Sequence, residues 1–236
     1  MPCQNGEFSL MIKVYALLPM LNEESYAELT IKSLFKISVI DKIIVIDDGS
    51  SDKTWDILCK IKGIELIKHH KNMGKAKSII DAINIYSDGD IYVFIDGDLG
   101  ESAGKIQPLI DEVLKDNCDL CVARFPMHKN TGGVGFLRFF SRFVIKLITG
   151  TDFPCPLSGQ RAVKKDAIIS KDIKLYKGYG IEVGMLIDAF RNGFRVKFID
   201  ISLSHRVTGK SIKDYIHRIK QFIEITYVFI IKVLGW

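Results

Sequence analysis

The chain of 236 residues lacks most of what would set it apart from an ordinary globular domain. Its five cysteines (Cys3, Cys59, Cys118, Cys121 and Cys155) are odd in number and follow no framework spacing. That excludes a disulfide scaffold and predicts reduced thiols in a cytoplasmic protein. Cys118 and Cys121 make a lone CxxC without a second pair or a nearby histidine, so they read as two positions of a strand. No apolar run approaches the roughly 20 residues that cross a bilayer. The closest, "FIEITYVFIIKVLGW", is interrupted by Glu224 and Lys232. "MIKVYALLPML" has no basic stretch before it and breaks at Pro19, so no signal peptide is expected. Met11 reads as a candidate start, which leaves residues 1–10 as an N-terminal extension. No repeat or low-complexity linker divides the remainder. Charge of one sign is also scarce: the net formal charge is only +5, so where the charges lie matters more than their sum, and no nucleic-acid partner is expected.

What is present is an alternation of strand and helix patterns. Residues 13–18 read as a strand stopped by Pro19, and the acids from Asn22 to Glu24 open a helix that runs to about Phe35. "KIIVIDDGS" is apolar throughout, as a strand covered on both faces should be, and Ser50, Ser51 and Asp52 cap a helix over 53–61. A strand "IELIKHH", a helix "NMGKAKSIIDAINIYS", a strand "DIYVFID", a helix over 105–115 and a strand "CDLCVAR" follow. This predicts an α/β fold with a mostly parallel sheet and crossover helices. The second half adds "GGVGFLRFFSRFVIKLITG", the helix "GYGIEVGMLIDAFRNG", the strand "FRVKFIDISLSH" and an amphipathic helix over 211–234.

Ligands bind at the carboxyl ends of strands in such sheets. Three polar clusters fall there: Pro19 to Glu24, Asp47-Asp48-Gly49, and Asp96-Gly97-Asp98. Two carboxylates one residue apart suit a hard divalent cation that keeps places for phosphate oxygens, and the cation turns their repulsion into a site. Gly97 between them allows close approach of a ligand. Lys75 opens a helix at the same edge and suits an anion. His205 offers an imidazole that is either structural or a ligand to the same metal or diphosphate.

"LLPMLNEE", "IIVIDDGSSDKT", "NMGKAKSIIDAI" and "IYVFIDGDL" resemble, in order and spacing, the family-2-like glycosyltransferases with the GT-A fold. "PLSGQRA", "GYGIEVGMLID" and "LSHRVTGKS" are similar to the second half of glucosyl-3-phosphoglycerate synthases and polyprenyl-phosphate sugar transferases. The resemblance implies one Rossmann-like GT-A domain over 11–210, with a nucleotide-sugar half (11–124), an acceptor half (125–210) and a C-terminal amphipathic helix (211–236). It implies a nucleotide-sugar donor, most often a UDP-hexose such as UDP-glucose. Leu18, Pro19, Met20, Asn22 and Glu23 would line the nucleoside pocket, with Asp48 near the base or ribose. Lys75, Asp96 and Gly97 would meet the ribose and sugar–phosphate region. Asp98 and His205 would hold Mg2+ or Mn2+, and Glu182 would stand by the transferred sugar. Glu182 and Asp152 are the candidate bases for a hydroxyl acceptor, whereas a phosphate acceptor needs none.

Gly132, Gly133, Arg206 and Lys210 are the candidate acceptor-binding residues. The loop "NTGGVGFLRFF" carries glycines where the phosphoglycerate-using enzymes have an Arg/Thr pair, which opens the place to a polyprenyl phosphate. Residues 124–149 contain five Lys or Arg and no acid, with Phe136, Phe139, Phe140 and Phe143 at helical spacing. That pattern fits a peripheral contact with the inner face of the cell membrane, a core-facing stripe, or a homodimer interface. Two other functions fit less of the chain. A nucleotidyltransferase would need a Gly-rich, Arg-bearing loop after the first strand, and a catalytically degenerate scaffold has no reason to keep the acid cluster.

Overall fold

The computed structural model describes residues 12–124, 134–168, 176, 178, 180–203 and 212–234. Seven strands form one sheet: β1 (Val14–Met20), β2 (Lys42–Asp47), β3 (Glu65–Lys68), β4 (Ile91–Phe94), β5 (Leu120–Arg124), β6 (Arg161–Lys164) and β7 (Val196–Asp200). Their order is β3-β2-β1-β4-β6-β5-β7. All run parallel except β6, which pairs antiparallel with both β4 and β5. The expected mostly parallel α/β architecture is what forms.

Both faces of the sheet are covered at its centre, which is why β1, β2 and β4 are apolar along nearly their whole length. Along β1, Tyr15 and Leu17 join one core while Val14, Ala16 and Leu18 join the other. The second core lies under α1 (Ala27–Leu34) and α4 (Gln107–Leu114). The first lies under α3 (Lys75–Ile85), α5 (Val134–Thr149), α7 (Gly180–Arg191) and α8 (Ile212–Leu234). Two short helices complete the set: α2 (Thr54–Leu58) and α6 (Lys165–Ile168).

Four elements differ from the sequence expectation. β1 continues through Pro19, because the ladder to β4 ends at Leu17 and the missing N–H would have pointed to that side. The helix expected over 53–61 is only α2, since Lys60 and Ile61 tighten into i→i−3 bonds ahead of Gly63 at φ 82. The helix expected over 105–115 starts as a 3₁₀ segment, Gly100–Ile106, and becomes α4 at Gln107. β6 was not read as a strand at all; four residues with cations at both ends leave no periodicity to find. Cys118 and Cys121 are both buried in the second core, but only Cys121 lies in a strand, since β5 begins at Leu120.

Candidate active site

β1 and β2 extend the sheet one way and β4 lies on β1's other side, so the carboxyl ends of β1, β2 and β4 frame the crevice where chain direction switches. β6 alone runs backwards, and this brings its first residue, not its last, to that crevice.

The loops at this edge interlock. Asn22, in the left-handed region at φ 56 that Asn tolerates, accepts from the backbone N–H of Ser51 at 2.8 Å through Oδ1. The N–H of Glu23 donates to Thr54 Oγ1 at 2.8 Å and that of Asn22 to Ser50 Oγ at 3.0 Å. The "DGDLG" turn hangs on Thr30: its buried hydroxyl donates to Gly97 O at 2.9 Å and accepts from Gly100 N at 2.9 Å. Gly97 must be small, because a Cβ there would stand 2.9 Å from Met20 Cγ and 3.2 Å from Glu23 Cγ. Leu18 and Met20 are wholly buried, so they offer the site packing and backbone.

Asp48 is buried, and its carboxylate is committed. Oδ1 accepts from Met73 N at 2.8 Å and meets His69 Nδ1 at 2.7 Å; Oδ2 accepts from Gly74 N at 2.8 Å. These bonds shape the turn that launches α3 and its first residue, Lys75. His69 Nε2 lies 3.3 Å from Asp81 on the same helix, so one imidazole ties β3 to β2 and α3.

Lys75 reaches into the crevice between two acids. Its Nζ stands 2.7 Å from Asp96 Oδ1 and 2.8 Å from Glu182 Oε1, the second as an ion pair without hydrogen-bond alignment. Burial pulls the ammonium's pKa down, but the charges of Asp96 and Glu182, and the hydrogen bond to Asp96, outweigh it and hold the pKa above the ordinary lysine value. Lys75 is one cation between two carboxylates. The lysine is therefore already neutralised, and its charge holds the acids in place.

Asp96's other oxygen accepts from Gln160 Nε2. Asp96 is thus bound to a protein ammonium and a side-chain amide, and Asp98, two residues on across Gly97, is half-buried at the same strand end. The site fits Mg2+ or Mn2+ in this sense. One hard oxygen donor from the protein is what a cation needs when phosphate oxygens complete its shell. Among the described residues no three His, Cys, Asp or Glu converge as a self-sufficient metal cage. His205, Arg206, Lys210, Gly132 and Gly133 lie outside the described residues.

Asp152 is not at hand as a base: Arg142 grips it on the surface, Nε to Oδ1 at 2.8 Å with Nη2 on Oδ2, and these hydrogen bonds hold its carboxyl below the ordinary range. The acid brought into the crevice is Glu182, in the first turn of α7 and 3% exposed. Sequence reasoning missed the residues that complete the constellation, Ser158, Gly159, Gln160 and Arg161. The motif "PLSGQRA" is a signal for them, but not for their place beside Asp96, which depends on β6 and on the full burial of Arg161.

Comparison with known proteins adds to this geometry. The family model "Glycosyl transferase family 2" matches residues 15–170. Glucosyl-3-phosphoglycerate synthase of Mycobacterium tuberculosis (strain CDC 1551 / Oshkosh) is 28% identical over 201 residues, covering 75% of this chain and 60% of that protein. Undecaprenyl-phosphate 4-deoxy-4-formamido-L-arabinose transferase of Proteus mirabilis (strain HI4320) is 26% identical over 213 residues, covering 84% of this chain and 61% of that protein. The chain thus spans about 60% of the length of these curated relatives. Among solved structures, glucosyl-3-phosphoglycerate synthase from Mycobacterium tuberculosis in complex with Mn2+, uridine diphosphate and glucosyl-3-phosphoglycerate superposes with a TM-score of 0.74 at 24% identity. That superposition covers 94% of this chain and 80% of the other, and establishes a shared fold.

Proposed function

The chain belongs to glycosyl transferase family 2, and from that membership we propose that it moves a hexose from a nucleotide-sugar donor, a UDP-hexose, to a phosphorylated acceptor. The observation that carries the reading is the buried Lys75–Asp96–Glu182 cluster at the carboxyl end of the sheet. Asp96 is locked to Lys75 and Gln160 beside Glu182, and Asp98 supplies the second carboxylate of "DGD" two residues on.

In the reaction an acceptor oxygen forms a bond to the anomeric carbon. The bond from that carbon to the diphosphate breaks, and its electron pair leaves with the nucleoside diphosphate. A Mg2+ or Mn2+ ion held by Asp98 and His205 would neutralise the charge gathering on that leaving group. The chain's own part is preorganisation: Lys75 fixes Asp96 and Glu182, and the interlocked loops fix Lys75. Where the acceptor is a phosphate it arrives ionised. Where it is a hydroxyl, Glu182 is the carboxylate placed to take its proton.

The relatives named above carry phosphoglycerate or undecaprenyl phosphate in their names, and one feature favours the lipid-borne class for this chain. Phe139, Phe143 and Leu147 on α5, and Ile219, Ile223, Tyr227 and Ile230 on α8, are exposed at helical spacing. The two helices pack together through Phe140 and Phe222, whose rings are 4.6 Å apart. Exposed Lys146 and Lys220 stand among these side chains, an arrangement suited to an anionic lipid surface. No helix among the described residues is long and apolar enough to cross a membrane.

The test is nucleotide binding followed by calorimetry and thermal shift. The wild type is expected to bind UDP-glucose in the presence of Mn2+ and to ignore a nucleoside triphosphate with a sugar phosphate. Asp98→Ala is expected to lose the Mn2+-dependent part while melting, without ligand, like the wild type. Equal Mn2+-dependent binding by Asp98→Ala refutes the metal assignment, and a wild type that binds no nucleotide sugar refutes the transferase reading in favour of a scaffold.

A further inference from the structure

Residues 156–161 enter the crevice as one rigid piece. Arg161 is fully buried, and its guanidinium spans three backbone carbonyls: Nε to Ser158 O at 2.8 Å, Nη2 to Pro156 O at 2.8 Å, and Nη1 to Glu182 O at 2.7 Å. Burial lowers this group's pKa to about 10, and the charges of Glu182 and Asp96 oppose that fall. The same side chain therefore ties the loop before β6 to the first turn of α7. Gly159 lies against the ion pair so closely that a Cβ would stand 2.5 Å from Lys75 Nζ and 2.7 Å from Asp96 Oδ2. Antiparallel pairing explains the placement: Arg161 is opposite Phe94, which sets Gln160 and Gly159 beside Ile95 and Asp96.

The amide of Gln160 is oriented by its neighbour. Asp96 can only accept, so the NH2 group must face it, and Oε1 must point elsewhere. That oxygen is buried and has no hydrogen-bond donor among the described residues; the same holds for Ser158 Oγ and Glu182 Oε2. Buried acceptors without donors are uncommon in folded proteins, and three around one ion pair form a built feature. Three oxygens could attract a second cation, but the Lys75 ammonium, 2.8 Å from Glu182, repels one. The chemistry that satisfies them is a set of neutral O–H donors on a compact ring.

We propose that Ser158–Arg161 forms the sugar-reading wall of the site, in which Gln160 is a specificity-determining residue whose Oε1 accepts a hydroxyl of the transferred hexose. Ser158 and the second oxygen of Glu182 accept its neighbours, and Arg161 is the positioning residue that holds all three on one frame. The inference rests on the nucleotide-sugar reading above.

Deoxyfluoro analogues of UDP-glucose test it, because fluorine keeps the size of a hydroxyl and cannot donate. Dissociation constants are measured by calorimetry with Mn2+ for UDP, UDP-glucose and its 2-, 3-, 4- and 6-deoxyfluoro forms, on the full chain and on Gln160→Leu. In the wild type at least one fluoro position is expected to bind tenfold or more weaker than UDP-glucose. Gln160→Leu should close that gap, which is a ratio taken within each protein and so does not depend on any change in UDP affinity. A gap that survives in Gln160→Leu, or the absence of a gap at every position, overturns the proposal. Failure of the wild type to bind UDP overturns instead the reading on which it rests.

Discussion

Replacing Lys75 by Met tests the centre of the site without touching its surroundings. Met keeps most of the length and apolar stem but removes the ammonium, so Asp96 and Glu182 face one another with nothing between them. Taking one partner from a fully buried pair costs about 3–5 kcal/mol, because the remaining charge stays out of water. Here Glu182 is 3% exposed, but the Lys75 and Asp96 side chains are 22% and 30% exposed, so water screens part of the loss. We therefore expect the lower end, about 3 kcal/mol, or a melting temperature lower by about 6–12 °C in a domain of this size. The companion variant is decisive. Glu182→Gln in the Lys75→Met background removes the stranded charge and should restore about 2 kcal/mol by urea denaturation, while transfer activity stays lost. A Lys75→Met protein that melts with the wild type, or a double variant no more stable than the single one, would refute the argument that this lysine's charge is spent on holding the two acids.

Asp119 gives a pH test away from the site. Hydrogen bonds from Arg195, and then Lys164, hold its carboxyl well below the ordinary range against the opposing effect of burial. A depressed folded-state pKa contributes stability that is present above the unfolded value of about 3.9 and lost as the pH falls below it. Asp119→Asn should therefore be less stable than the wild type by a constant margin from pH 6 to 8, and the margin should shrink on acidification to pH 3; an unchanged margin at pH 3 contradicts the assignment. On the outer helices, Phe143→Ser with Ile223→Ser changes only exposed side chains, so melting should move little. Sedimentation with vesicles containing anionic phospholipid is expected to fall several-fold. Undiminished sedimentation, or a fall in oligomer size with no vesicle binding by the wild type, would assign the stripes to another role.

The first hundred residues declare themselves because β1, β2 and β4 are apolar and end in polar clusters. Burial on both sheet faces selects the former, and the crevice selects the latter. Asp96, Asp98 and Lys75 were therefore legible as one group, and so was Glu182 through its motif. Asp48 carries a role that the strand-end pattern does not show: in the fold its carboxylate accepts from Met73 N and Gly74 N and shapes the turn that carries Lys75.

The sequence alone determined the α/β order, the strand ends that bear the acids, and the family, since those follow from local periodicity and from short spacings within loops. The tertiary structure decided which acid does what. β6 pairs backwards between β4 and β5, and that single reversal carries Ser158–Arg161 across 64 residues of chain to Asp96. Strand direction in a sheet is settled by long-range packing, which no local pattern encodes. The amide that fixes Asp96 and the buried Gln160 oxygen without a donor therefore became visible only once the strands were paired.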